Sequence, residues 1–196
     1  MGPPSTATRA GFFEKKCYSG REVIRWLKKF FIIASRDFRD PEYFVPKEIL
    51  ENAGIEVKTA SSLPAGQGPA VGAEGGEVWP DLSIGDAKSA DYDGVIFVGG
   101  AGSQEYFQNP QAHKLVQEAF QDNKLLAAIC IAPSILANAG VLKDKKVTAF
   151  SSEEANLKKQ GAQYTGATVE ADNHLITANG PAAAQEFGEK IVEALK

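Results

Sequence analysis

The chain has little of what builds metal centres or disulfide frameworks. Its 196 residues hold two cysteines, Cys17 and Cys130, two histidines, His113 and His174, and a single methionine, Met1. Two cysteines in unlike contexts make no disulfide framework, which fits a reducing, cytoplasmic setting. Two histidines are too few for a metal cluster, and no cofactor is called for. Long apolar runs are missing as well. The longest near the start, Phe30 to Ala34, is far too short to span a membrane and lacks the features of a signal peptide, so no membrane partner is expected. Basic charge is not in excess: 21 Lys and Arg face 25 Asp and Glu, a formal net charge of −4. That balance argues against nucleic acid as a partner. There are no internal repeats, and the length suits one domain with a sizeable core.

What is present is organised around Ala127-Ala128-Ile129-Cys130-Ile131-Ala132-Pro133-Ser134. Leu125 to Ile129 reads as a strand covered on both faces. Pro133 suits the first turn of a helix that Gly140 closes. Cys130 therefore falls at a tight strand-to-helix turn, between the small residues Ala128 and Ala132, as a nucleophile at such a turn requires. The helix start favours thiolate and predicts a lowered thiol pKa. A buried structural cysteine gives the same local pattern, so both readings stand at this point.

The other elements alternate. Residues 1–28 form an extension, disordered over Met1 to Ala10 and loosely helical over Glu22 to Lys28, with Cys17 an exposed thiol. Phe30–Ala34 is the first buried strand, followed by a loop over Ser35–Arg39. Asp40-Pro41 reads as N-cap and first residue of a helix through Glu42 and Leu50, with Pro46 implying a kink or a late start. A second strand covers Ile55–Ala60. A long glycine- and proline-rich loop follows, with a hairpin near Glu77-Val78-Trp79. Val95–Val98 is a third core strand ending in Gly99-Gly100-Ala101-Gly102. That turn either offers backbone N–H groups to an anion or is simply tight. Asn109-Pro110 opens a helix carrying His113 on its surface. Lys146–Phe150 is a strand, Ala167–Ala171 and Leu175–Ala178 are two more joined at a turn holding His174, and Ala182–Leu195 is the last helix. This alternation gives an α/β fold with a mostly parallel sheet, whose ligands bind at the carboxyl ends of its strands.

Taken in order, these motifs resemble the ThiJ/PfpI superfamily from about Lys29 to Lys196. The resemblance rests on Asp40-Pro41-Glu42-Tyr43-Phe44-Val45-Pro46, on Val98-Gly99-Gly100 and on Ala127-Ala128-Ile129-Cys130. Leu136 to Leu142, Val147-Thr148-Ala149 and Thr177-Ala178-Asn179-Gly180-Pro181 complete it. It implies a flavodoxin-like three-layer sandwich similar to class I glutamine amidotransferase domains. It places the family nucleophile on Cys130 and the carboxyl that hydrogen-bonds it on Glu42. The family's oxyanion donors become the backbone N–H groups of Gly100 and Ile131. A protonated glutamate donating to the sulfur favours thiolate, whereas an ionised one repels it. The protease-like branch carries histidine where Ile131 stands, and the deglycase branch carries one near Phe150; neither position holds histidine here. The implied activity is a glyoxalase- or deglycase-type reaction on small reactive carbonyls. The alternatives are a redox or stress-response protein oxidised at Cys130, and an intracellular cysteine peptidase. A homo-oligomer, dimer or larger, is implied as well.

Overall fold

In the computed structural model, residues 13–18, 21–26 and 28–195 are described, those before Phe31 by their backbone alone. The central sheet contains β1 (Lys28–Ile32), β2 (Glu56–Ser61), β3 (Leu82–Ser83), β4 (Gly94–Phe97), β5 (Leu125–Ile129), β6 (Val169–Asp172) and β7 (Leu175–Ala178). Their spatial order is β6-β7-β5-β4-β1-β2-β3. Every neighbouring pair is parallel except β6 with β7. Phe31, Ile96, Ala127 and Ile176 stand in one row across β1, β4, β5 and β7. All four residues of β4 and all five of β5 are buried. Such unbroken apolar runs belong to parallel strands covered on both faces.

The covering layers are helical. They comprise α1 (Asp40–Asn52), α2 (Pro110–Gln121), α3 (Pro133–Asn138), α4 (Glu154–Lys159) and α5 (Ala184–Glu193). α1 packs against α5, whereas α2 packs on β4, β5 and α3, and α3 on α4. The approach of α1 and α5 is close at Gly188, where a Cβ would lie 3.0 Å from the Pro46 Cα and 2.9 Å from Ile49 Cδ1. The result is the three-layer α/β sandwich expected from the alternation of strands and helices. Strand order reverses between β1 and β4, because the chain builds outward from β1 to β2 and then returns to the other side. The loops after β1 and β4 leave the sheet in opposite directions there, and open a crevice at its carboxyl edge.

Several local expectations change. Arg36–Phe38 is a short strand rather than a loop; it pairs with Ala70–Gly72, which in turn pairs with Glu77–Val78. Asp40 is not the N-cap of α1. Arg39 holds that position, and the Asp40 carboxylate instead accepts the Glu74 N–H at 2.8 Å and the Gly76 N–H at 2.7 Å. Pro46 lies inside α1, whose helical course continues through it. The strand expected over Lys146–Phe150 shortens to Lys146–Val147 and pairs with Gln163–Tyr164, outside the central sheet. Asn109 does cap α2, accepting from the N–H groups of Gln111 and Ala112.

Ahead of the sheet, Phe13–Tyr18 pairs antiparallel with Arg21–Trp26, so Glu22–Trp26 is extended where a helical turn was expected. The disorder expected over Met1–Ala10 and the exposure expected of the Cys17 side chain lie outside the described residues. Among the described residues, no helix is long and apolar enough to cross a membrane.

Among the described residues, the N-terminal ribbon forms a two-stranded sheet of its own, unpaired with the seven-stranded one. Removal of residues 1–27 is therefore expected to leave the folded domain intact. The melting temperature should move by less than about 3 °C, the shift produced by roughly 1 kcal/mol in a chain of this size. A larger drop by calorimetry would make the ribbon part of the folding unit.

Candidate active site

Three chain segments meet at the crevice. Cys130 follows β5 directly and adopts a left-handed backbone conformation, φ 64°. Few non-glycine residues hold this conformation unless their surroundings impose it. Here the turn is fixed from two sides: the Cys130 N–H donates to the Ala178 carbonyl at 2.9 Å, and its carbonyl accepts the Phe150 N–H at 2.8 Å. Ala128 and Ala132 are fully buried beside it, and Pro133 opens α3 as the sequence predicts. The thiol residue itself is 9% exposed.

Glu42 arrives from the first turn of α1 and is fully buried. Its Oε2 accepts the Gly99 N–H at 3.1 Å, and its carboxyl also hydrogen-bonds the Cys130 thiol. Oε1 is buried with no hydrogen-bond partner. Gly99 must be glycine for steric reasons. A Cβ there would stand 2.5 Å from Glu42 Oε2 and 2.6 Å from the Cys130 Cβ, wedging the two side chains apart. At Gly100, φ is 94° and a Cβ would meet the Arg39 nitrogen and the Asp37 carbonyl oxygen, each at 2.4 Å. The Arg39 N–H donates to the Gly99 carbonyl at 3.1 Å, tying the loop after β1 to the loop after β4. The N–H groups of Gly100 and Ile131 both donate to the Cys130 sulfur. All four residues singled out from the sequence, Cys130, Glu42, Gly100 and Ile131, therefore converge. Gly99 is the member that sequence reasoning assigned no role beyond the turn.

The electrostatics differ from expectation. Burial raises the Glu42 carboxyl from 4.5 to about 7, against the thiol hydrogen bond, the Gly99 N–H and the positive charge of Arg39. Burial, then the charge of ionised Glu42, pushes the Cys130 thiol up to about 12, while the Gly100 and Ile131 N–H groups pull it down. The thiol acidified by its helix start is thus not what the structure gives. Desolvation outweighs the donors because the turn is covered. The thiol and carboxyl act as one acid that releases its first proton near 7 and its second near 12.

Neither histidine joins the site. His113, half-buried on α2, has Nε2 3.0 Å from the Phe107 carbonyl oxygen. His174 packs on Phe120 at a ring separation of 5.1 Å, and its carbonyl accepts the Leu126 N–H at the amino end of β5, the end opposite Cys130. Among the described residues, no three His, Cys, Asp or Glu side chains converge to hold a metal ion. Arg39 borders the site: its guanidinium reaches Glu74 at 3.4 Å, and its Nε is buried without a partner.

The DJ-1/PfpI family pattern matches residues 28–194. The chain belongs to this family. It is 38% identical over 179 residues to an uncharacterized protein of Methanocaldococcus jannaschii, covering 90% of this chain and 86% of the relative. It is 31% identical over 169 residues to the protein dj-1beta of Drosophila melanogaster, covering 86% and 89%. The crystal structure of a ThiJ/PfpI domain protein from Brachyspira murdochii superposes with a TM-score of 0.82 at 29% identity, covering 86% of this chain and 95% of that one. That of Drosophila DJ-1beta gives 0.79 at 30%, covering 87% and 91%. The flavodoxin-like sandwich read from the motifs is thus the family's fold.

Peptide-resolved alkylation of Cys130 by iodoacetamide should rise with pH through a step near 7, as the pair loses its first proton. In Glu42→Gln that step belongs to the thiol alone and should leave pH 7. Superimposable profiles for the two proteins would show that Glu42 does not share its proton with the thiol.

Proposed function

We propose that this protein is a cysteine-dependent enzyme of glyoxalase or deglycase type, acting on small reactive carbonyls. The observation that carries the reading is the buried contact between the Cys130 thiol and a carboxyl that titrates near 7. A thiol held as high as Cys130 needs a base at the moment it attacks. A carboxylate poised near neutrality is a far better base than one at 4.5.

The steps use the chain's own groups. The thiol sulfur adds to the aldehyde carbon of a 2-oxoaldehyde while the S–H proton passes to Glu42. The carbonyl π electrons become an alkoxide, close to the Gly100 and Ile131 N–H groups that face the sulfur. Glu42 returns the proton to that oxygen, giving a hemithioacetal. Glu42 next takes the proton from the former aldehyde carbon and delivers it to the neighbouring carbonyl carbon, the hydroxyl proton moving to the other oxygen. The first carbon is thereby oxidised to a thioester as the second is reduced to a carbinol. Water cleaves the thioester, releasing a 2-hydroxy acid and restoring the thiol. Desolvation of the site strengthens each of these electrostatic contacts.

A peptidase reading has less support, because both histidines, the partners a Cys-His peptidase would use, lie elsewhere. A cytoplasmic setting and self-association complete the proposal. Exposed Phe44 and Trp79 border a cavity of about 390 Å³ with Tyr43 and Val57, a face suited to a second copy of the chain. Light scattering should give a mass above that of the 20.9 kDa monomer, and Trp79→Glu should lower it; a wild-type monomer would remove this part.

Methylglyoxal turnover decides the activity. Cys130→Ser should abolish it, and Glu42→Gln should cost on the order of 10²-fold in kcat. Wild-type turnover should fall as pH drops below about 7, where Glu42 is protonated and no longer a base. Inactivity toward carbonyls together with stoichiometric peroxide oxidation of Cys130 would overturn the enzymatic reading in favour of a redox role.

A further inference from the structure

We infer that Phe150 is the residue that selects substrates, and that the preferred carbonyls are 2-oxoaldehydes carrying an aryl or bulky apolar group. The inference deepens the proposed activity and rests on it. Phe150 is 47% exposed, an unusual state for a phenylalanine in a well-packed sandwich. Its backbone N–H holds the carbonyl of Cys130 at 2.8 Å, so the residue is anchored directly to the nucleophile's turn. Its ring lies toward the next strand end: a Cβ built on Gly180 would be 3.7 Å from Phe150 Cδ2. Gly180 follows β7, and β7 is the strand whose Ala178 carbonyl fixes the Cys130 N–H. The aromatic ring therefore sits at the carboxyl edge of the sheet, over the strand ends that flank the thiol.

This exposure does not come from a loose loop. The segment around Phe150 is pinned by a dense set of polar contacts. On its amino side, the Thr148 N–H donates to Thr177 Oγ1 at 2.9 Å, and Tyr164 Oη donates to the Ala149 carbonyl at 3.2 Å. On its carboxyl side, the Glu153 N–H donates to the Phe150 carbonyl at 2.9 Å. Buried Ser134 on α3 donates to Glu153 Oε2 at 2.5 Å, and Asn156 donates to Ser134 Oγ at 3.0 Å and to Asn138 Oδ1 at 3.1 Å. A rigid frame that holds an aromatic face in water beside a reactive thiol has the properties of a binding platform. Fixed aromatics supply contact area at little conformational cost. Half-buried Ile131, packed against the core next to Cys130, extends the apolar character of that side. A 2-oxoaldehyde with an apolar group can lay that group on Phe150 while its aldehyde carbon faces the sulfur.

The test compares wild type, Phe150→Ala and Phe150→Tyr with phenylglyoxal and methylglyoxal. Phe150→Ala should lower kcat/KM for phenylglyoxal about tenfold, in the range apolar contacts give, and lower it for methylglyoxal by a clearly smaller factor. Phe150→Tyr, which keeps the ring, should behave like wild type. In parallel, peptide-resolved alkylation of Cys130 by N-phenylmaleimide and by iodoacetamide reads the same recognition without turnover. Phe150→Ala should slow the first selectively. Equal losses on both carbonyls, no loss on either, or a changed oligomeric mass would overturn the assignment. If wild type turns over neither carbonyl, the enzymatic reading fails, while the ratio of the two alkylation rates still decides whether Phe150 recognises apolar groups.

Discussion

A buried carboxyl group pressed against a thiol is the constraint on which the rest of this structure depends. Glu42 and Cys130 come from different parts of the chain and meet only because α1 and the turn after β5 leave the same edge of one mostly parallel sheet. Holding them together requires Gly99, since any side chain there would occupy the space between them. It also requires the loop after β1 to lie directly on Gly100, a contact that only a residue without Cβ permits. The doubly wound topology supplies the crevice; these two glycines let the reacting groups share it.

Much of this was legible in the chain. A continuous apolar run, a cysteine between alanines and a proline in the next helical turn mark out β5, the Cys130 turn and α3, because each residue type there answers a local backbone demand. Gly99 and Gly100 announced a tight turn after β4 for the same reason. The pairing of Glu42 with Cys130 is different in kind. No local pattern links two residues so far apart in sequence: the α/β topology puts the Glu42 loop and Cys130 at one sheet edge, and the resemblance to a family makes them a hydrogen-bonded pair. The sequence points the thiol's acidity in the wrong direction because it displays the donors at a turn but not how deeply the turn is covered.

Two other departures share a cause: side chains taking over the role of backbone partners. Val147-Thr148-Ala149 has the composition of a strand, yet the Thr148 N–H is satisfied by the Thr177 hydroxyl rather than by a neighbouring strand. The chain is thereby freed to turn toward the Cys130 carbonyl through Phe150. Asp40 has the composition of an N-cap but serves a neighbouring loop through two N–H groups, which fixes the hairpin following Ala70–Gly72 beside the start of α1. Polar residues next to helix starts and strand ends are the ones whose partners lie in other segments, so their roles are the least visible locally.

Glu42 also bears on how this protein tolerates its surroundings. A carboxyl raised from 4.5 to about 7 on folding is one that the native state prefers neutral. Its favourable contribution is complete below 4.5 and is lost as pH rises through about 7, since the folded state must then bury a charge the unfolded chain would leave in water. At neutral pH and above, the protein carries a standing thermodynamic burden in this crevice. An apolar residue of similar shape at position 42 would remove that charge, but it would leave the buried Gly99 N–H without its acceptor. The position thus trades fold stability at high pH for a buried carboxyl that can change its charge near neutrality.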